Sequence, residues 1–106
     1  LWSYETVRGA LPPALQGRDL CVHVGIVSTI EDSWGGVIAT SAIAHLAQST
    51  PPAFHCQSSE FHEYASIAIA NGGPQVADGH MTAPSEPGLG VEPLMDILGD
   101  PVCEFH

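Results

Sequence analysis

The sequence contains no lysine and only two basic side chains, Arg8 and Arg18, against twelve acidic ones in 106 residues. The formal net charge of −10 excludes nucleic acids and anionic membrane surfaces as partners, because both repel an acidic chain. The lack of lysine also removes the usual Schiff-base residue and one common general base. No run of about 18 apolar residues occurs, so the sequence predicts no membrane-spanning segment.

Cysteine is scarce and widely spaced, at Cys21, Cys56 and Cys103. An odd number without a C-x-x-C pair excludes a disulfide scaffold and a zinc ribbon. We therefore expect three reduced and mostly buried thiols in a cytoplasmic protein. The chain begins at Leu1 rather than at a methionine, so we also expect a fragment of a longer protein.

What is present is the composition of a globular domain, with 44% hydrophobic and 13% charged residues. Helical and strand patterns alternate: a helix over 11–24, a strand over 26–30, a helix over 37–48 and a strand over 53–57. This alternation predicts βαβ units and a parallel sheet of the α/β class. Beyond residue 64, residues 65–70 form a helix or a strand, Asp78-Gly79 predicts a hairpin, and 94–98 one helical turn.

Acidic residues follow both predicted strands: Glu31 and Asp32 follow the first, and Glu60 and Glu63 follow the second. Because the carboxyl ends of parallel strands meet at one edge of a sheet, these loops should line a shared rim. Carboxylates there can hold a cationic substrate group, a metal ion or a proton in transit. Alternatively, Asp32 and Glu60 only cap the segments that follow them. Trp34 either forms a pocket wall that stacks on a cation or plugs the rim.

Other candidate motifs are weak. A zinc site built from His62, His80 and His106 has no supporting spacing, and we do not expect one. The serines lack the G-x-S-x-G elbow of an acyl-transfer nucleophile, and no glycine-rich phosphate loop is present.

Three stretches, in this order, resemble the C-terminal end of the mandelate racemase/muconate lactonizing enzyme group of the enolase superfamily. They are Arg18-Asp19-Leu20-Cys21 with Gly25-Ile26, the segment from Thr29 to Gly36 continued by 42–51, and the segment from Gly79 to Val102. The resemblance covers about residues 7 to 102. The Glu-Asp-x-Trp-Gly-Gly stretch at 31–36 is most similar to hydroxyproline dehydratase- and epimerase-like members.

The resemblance implies a partial structure. Residues 1–64 would be the last helices and strands of a (β/α)₇β TIM-type barrel, and residues 65–106 the C-terminal segment of an α+β capping domain. Enzymes of this group hold Mg²⁺ through acids on strands that this chain does not contain, and they abstract the proton α to a carboxylate. Gly9-Ala10-Leu11 looks like the turn after the sixth strand, which carries a catalytic lysine in some relatives. Since no lysine is present here, we do not expect residues 1–6 to form that strand.

We therefore expect a fragment of a Mg²⁺-dependent lyase or isomerase, namely a racemase, epimerase or dehydratase, acting on an amino acid or proline derivative. This chain would supply neither metal ligands nor catalytic residues and would be inactive alone. The resemblance implies that the substrate pocket includes Glu31, Asp32, Trp34, Ser59 and Glu60. The implied partners are a small carboxylate with a cationic nitrogen, the missing N-terminal barrel portion, and further copies of the parent in a homo-oligomer. The alternative is a non-catalytic remnant or small binding module with the same half-barrel.

Overall fold

The computed structural model describes the backbone of residues 2–5 and residues 11–104 with their side chains. Its elements in chain order are β1 (Trp2–Glu5), α1 (Leu11–His23), β2 (Ser28–Glu31), α2 (Gly36–Gln48), β3 (His55–Ser58), β4 (Ala70–Gly72), β5 (Gln75–Ala77), β6 (His80–Thr82), β7 (Val91–Pro93) and α3 (Met95–Leu98). Single 3₁₀ turns at Pro52–Phe54 and His62–Tyr64 flank β3.

Strands β1, β2 and β3 form one parallel sheet in sequence order, and α1 and α2 are the crossovers between them. The predicted α/β arrangement of these elements is therefore confirmed. Both helices begin and end within one residue of their predicted bounds. The strands start later than predicted because turns occupy the residues before them: a Schellman-type turn at Gly25, whose φ is 74°, and the Pro52–Phe54 turn.

Residues 1–6 were not expected to form the lysine-bearing strand of the family, yet residues 2–5 do form a strand, β1, in the parallel sheet. Its backbone pairs in parallel with β2, with Trp2 opposite Ser28 and Glu5 opposite Glu31. Parallel pairing uses backbone N–H and C=O groups, so it does not require the lysine that was the basis of that expectation.

Helix α2 contributes more buried residues than any other element among the described residues. Its residues Ile43 and Leu46 pack with Ala14 of α1 and Ile30 of β2 in the hydrophobic core. The same helix also contacts β4, β6 and β7, so it lies between the parallel sheet and the C-terminal segment. This double cover explains why the polar Thr40 and Ser41 on α2 have no exposed surface.

The apolar face predicted for α1 is only partly buried. Ala14 and Cys21 are buried, whereas Leu20 and Val24 are about half exposed. The prediction of mostly buried cysteines is likewise wrong, because Cys56 and Cys103 are exposed, although all three cysteines are free thiols. Both differences arise on surfaces that no other described element covers.

The C-terminal segment consists of two small antiparallel pairs. Strands β5 and β6 form the hairpin predicted at Asp78-Gly79, and both turn residues have positive φ. For residues 65–70 the sequence allowed either a helix or a strand. The structure shows an irregular segment there that leads into β4, and β4 pairs with β7. The helical turn predicted at 94–98 is α3. Within the described ranges no helix has both the length and the apolar character needed to cross a membrane.

Candidate functional site

The polar loops after β2 and β3 meet at one edge of the parallel sheet, as the sequence predicts. Ile30 near the end of β2 lies opposite Ser58 at the end of β3. The two loops are joined directly, because the backbone N–H of Asp32 donates to Ser59 Oγ at 3.0 Å and that of Phe61 donates to Asp32 Oδ2 at 2.9 Å. We refer to residues 31–34 and 59–64 as the rim.

Asp32 is the centre of the rim. Its side chain is buried, with 7% of the residue exposed, and both carboxylate oxygens accept hydrogen bonds. Oδ1 accepts from the backbone N–H of Trp34 at 3.1 Å, and Oδ2 accepts from Phe61 and from the Thr40 hydroxyl at 2.7 Å. Asp32 does not cap α2, whose N-cap is Gly35 with no side-chain cap hydrogen bond, but it stabilises the loop that follows it and joins both loops to α2.

Glu31 and Ser59 form a second link across the rim. The Ser59 hydroxyl donates to Glu31 Oε2 at 2.7 Å while its oxygen accepts the Asp32 N–H at 3.0 Å. Glu31 is half-buried, so its carboxylate lies at the boundary between the packed loops and the space above the sheet edge. Four of the five predicted pocket residues are thus linked by hydrogen bonds, namely Glu31, Asp32, Trp34 through its backbone, and Ser59.

Glu60 lies apart from this network. Its Oε2 is 2.9 Å from Nδ1 of His62, an ion pair when the imidazole is protonated. Both side chains are about four-fifths buried. Glu60 therefore contributes negative charge within the rim, and its partner His62 is two residues away in the same loop.

The aromatic cluster of Trp34, Phe61 and Tyr64 covers the outer side of the rim. The Trp34 and Phe61 rings stack with centroids 4.6 Å apart, and Tyr64 lies 5.9 Å from Trp34. Trp34 is 70% exposed and has a left-handed backbone, with φ of 64°. Sequence reasoning proposed a role for Trp34 alone. The aromatic character of the loop after β3 was the signal for Phe61 and Tyr64.

Trp34 also lines a cavity of about 500 Å³ beside the aromatic cluster. The start of α2, at Gly36 and Val37, forms one wall, and the 65–72 segment forms the opposite wall. His62 lies between them. Trp34 is thus one wall of this cavity, which none of the other four predicted pocket residues lines.

The described residues do not fit a metal site. They contain no group of three or more His, Cys, Asp or Glu side chains placed to hold an ion. The two oxygens of Asp32 already accept hydrogen bonds, and Glu60 contacts His62. His62 and His80 belong to no such group, and His106 lies outside the described residues.

Comparison with known proteins identifies relatives over most of the chain. A family model described as "Enolase C-terminal domain-like" matches residues 6–97. The cis-3-hydroxy-L-proline dehydratase of Roseibium aggregatum is 48% identical over 97 residues, covering 92% of this chain and 26% of that protein.

Solved structures give the same result. A mandelate racemase/muconate lactonizing enzyme from Roseovarius nubinhibens is 41% identical with a TM-score of 0.83, over 90% of this chain and 26% of that one. A protein from the same organism, assigned to the same enzyme group and crystallised with magnesium, is 32% identical with a TM-score of 0.89. It matches 98% of this chain and 29% of its own. The chain thus spans little more than a quarter of the length of these relatives.

Proposed function

Because the chain belongs to the enolase C-terminal domain-like family, we propose that it is the C-terminal part of a Mg²⁺-dependent lyase or isomerase. The reaction begins with removal of the proton α to the carboxylate of an amino acid or proline derivative. A racemase or epimerase returns a proton to the other face of that carbon, whereas a dehydratase expels a β-hydroxyl as water. The base and the Mg²⁺ ligands come from the rest of the protein, since the described residues do not fit the metal.

One observation carries this proposal: the hydrogen-bonded rim that joins Glu31, Asp32 and Ser59 at the carboxyl ends of two adjacent parallel strands. In parallel α/β folds substrates bind at this end of the sheet. The 48% identity to a cis-3-hydroxy-L-proline dehydratase supports an amino acid of the proline type as the substrate class.

The pocket residues have distinct proposed roles. Glu31 and Glu60 provide negative charge, which favours a substrate with a cationic nitrogen over one with a neutral group at that position. Trp34 supplies an aromatic wall that can stack on the cation or on a pyrrolidine ring. Ser59 and Asp32 join the two loops that carry these groups.

We further propose that residues 1–64 complete a (β/α)₇β barrel and that residues 65–106 belong to a capping domain. Support comes from the parallel order β1-β2-β3 with helical crossovers and from the change to short antiparallel pairs after Tyr64. The remaining barrel strands and the rest of the cap are then in the missing N-terminal portion. The whole enzyme is proposed to be a cytoplasmic homo-oligomer, consistent with three free thiols.

The test follows deuterium at the α-carbon in the full-length protein that carries this chain. Incubation with Mg²⁺ in D₂O should replace the α-proton, or yield a dehydrated product, for cis-3-hydroxy-L-proline or another proline derivative. Aromatic 2-hydroxy acids without a nitrogen should remain unchanged. Neither exchange nor product across all amino acids and proline derivatives tried, in a folded and Mg²⁺-loaded protein, would contradict the proposal.

A chimera tests the pocket residues of this chain without depending on which residue is the catalytic base. The matched segment of the Roseibium aggregatum dehydratase is replaced by this chain from Leu11 onward, so the host keeps its own preceding strand. We expect the chimera to bind the host's substrate, and Glu31→Gln to raise its KM about tenfold by removing the negative charge. Glu86→Gln, an exposed acid in the C-terminal segment, is the matched control and should leave the KM unchanged.

A further inference from the structure

We propose that Thr40, inside α2, is a positioning residue for the aromatic wall of the pocket. Its hydroxyl fixes Asp32, and Asp32 in turn fixes the backbone of Trp34 and Phe61. The inference rests on the proposed function insofar as it assigns the wall to a substrate pocket. It adds a residue that has no exposed surface and that neither sequence nor comparison assigns to the site.

The first step concerns the backbone of Trp34. Its φ of 64° lies in the left-handed region, which residues other than glycine adopt only where the surroundings stabilise it. The Trp34 N–H donates to Asp32 Oδ1 at 3.1 Å, two residues earlier in the chain. This local hydrogen bond stabilises the turn and so sets the direction in which the Trp34 ring leaves the loop.

The second step concerns the partner ring. Phe61 lies in the other loop, and its backbone N–H donates to Asp32 Oδ2 at 2.9 Å. One carboxylate therefore holds the backbones of both stacked residues, whose ring centroids are 4.6 Å apart. A rotation of the Asp32 carboxylate would move both attachment points of the stack together.

The third step identifies what prevents that rotation. The Thr40 hydroxyl donates to Asp32 Oδ2 at 2.7 Å, the shortest of the three contacts to this carboxylate. Thr40 belongs to a 13-residue helix that is held in the core through Ile43 and Leu46, and its hydroxyl also lies 3.2 Å from the Gly36 carbonyl oxygen one turn earlier. A hydrogen bond from a neutral hydroxyl to a buried carboxylate is charge-assisted and directional. Thr40 thus connects helix α2 to the two loops that carry the rings.

The chain offers a closely matched control at Thr50, two residues beyond the C-terminal end of the same helix. Thr50 is also buried, at 4% exposure, and its hydroxyl donates to the Leu46 carbonyl at 2.7 Å. Thr40→Val and Thr50→Val each remove one buried hydroxyl with little change in volume. They differ in that only the Thr40 hydroxyl contacts Asp32.

The test uses the full-length protein labelled with 5-fluorotryptophan, with the Trp34 signal assigned by Trp34→Phe. We expect Thr40→Val to shift or broaden this ¹⁹F signal and to lower kcat/KM about tenfold, mainly through KM, because a wall contacts ground and transition states alike. Thr40→Ser, which keeps the hydroxyl, should restore both readouts. Thr50→Val should leave both at wild-type values even if it lowers the melting temperature.

The proposal is overturned if Thr40→Val leaves the Trp34 signal unchanged, or if Thr50→Val alters it as much. Should Thr40→Val fail to fold, amide hydrogen exchange of the wild type decides: slow exchange at Trp34 and Phe61 supports the proposal, and fast exchange at either overturns it. Neither the fluorine signal nor amide exchange requires a substrate. A wild type that turns over no candidate compound therefore refutes the proposed function without deciding the role of Thr40.

Discussion

The buried carboxylate of Asp32 organises the candidate site through hydrogen bonds within the protein, and both of its oxygens are already engaged in them. Its two oxygens accept three hydrogen bonds from the loop after β2, the loop after β3 and helix α2. The Thr40 hydroxyl has a second acceptor, the Gly36 carbonyl oxygen at 3.2 Å in its own helix, whereas the Trp34 and Phe61 N–H groups join Asp32 to the two loops. The Asp32 side chain therefore connects both loops of the rim to helix α2.

We predict that Asp32→Asn is strongly destabilising, although the two side chains have nearly the same shape. One of the two carboxylate positions becomes an NH₂ group, and each position already faces at least one donor. Either orientation of the amide thus places donor against donor. The expected loss is about 2 kcal/mol, measured as the free energy of local opening from amide exchange at Trp34 and Phe61.

Asp100→Asn is the control for this change, because Asp100 is exposed and lies outside the rim. Its effect should stay within about 0.5 kcal/mol of zero. Equal effects of the two substitutions would show that the carboxylate of Asp32 has no special role in holding the loops.

At this scale the sequence allowed the acids and the tryptophan to be placed on one rim, because that inference needs only the order of strands and loops. It did not allow the partners of Asp32 to be identified. Thr40 is a helix residue eight positions away, and Phe61 follows a different strand. Both contacts depend on how the loops fold back over α2, and no short-range pattern encodes that.

At the scale of elements, repeating patterns were the reliable guide. Helix α2 and the β5–β6 hairpin have strong local signals, and their predicted positions are confirmed. Strand β1 was missed because its side chains do not match the family's lysine-bearing strand, whereas pairing depends on the backbone. The exposed Leu20 and Val24 of α1 show the opposite limit, since an apolar face predicts burial but not the element that covers it.

Two glycines in the C-terminal segment allow the cost of backbone strain to be measured separately from the cost of steric overlap. Gly79 and Gly90 both have positive φ, of 74° and 69°. A Cβ added at Gly79 meets nothing within 4 Å, whereas one added at Gly90 would overlap the ring of Pro84. Gly79→Ala should thus cost about 1 kcal/mol from backbone strain alone. Gly90→Ala should cost about 2–4 kcal/mol, because overpacking adds to the strain.

Native-state amide exchange of the full-length protein measures both effects locally. We expect exchange in the β5–β6 hairpin to rise about fivefold in Gly79→Ala, the factor that corresponds to ~1 kcal/mol. Exchange in the β4–β7 pair should rise by at least about thirtyfold in Gly90→Ala, the factor that corresponds to ~2 kcal/mol. Similar increases in the two variants would mean that the Pro84 contact relaxes without cost.

At the scale of the whole molecule, the described sheet is open at both sides. Strands β1 and β3 each pair only with β2 among the described residues, so each has one edge free of backbone partners there. Apolar side chains are also exposed on α1, on the segment leading into β2, and on the C-terminal segment. They include Leu20, Val24, Ile26, Val27, Ile67, Met95, Ile97 and Val102.

These surfaces predict that the 106-residue chain, produced alone, self-associates and turns over no substrate. Free parallel edges are templates for intermolecular pairing, and contiguous apolar patches favour association. The net charge of −10 opposes this through repulsion between copies, so association should increase with salt concentration, which screens the charge. Light scattering after size-exclusion chromatography, at about 0.05 and 0.5 M NaCl, measures the mass directly.

Co-expression supplies the decisive comparison. The N-terminal three quarters of the Roseibium aggregatum dehydratase contains the segments that precede the matched region, and it should cover the edges and the apolar side chains. We expect the two parts to form a defined complex. Its formation should abolish the salt-dependent association, because the sheet edges and apolar side chains that contact the partner are then no longer available to a second copy of this chain. A monomer with a cooperative melting transition at both salt concentrations would contradict this view. It would favour instead a small binding module that folds as a half-barrel by itself.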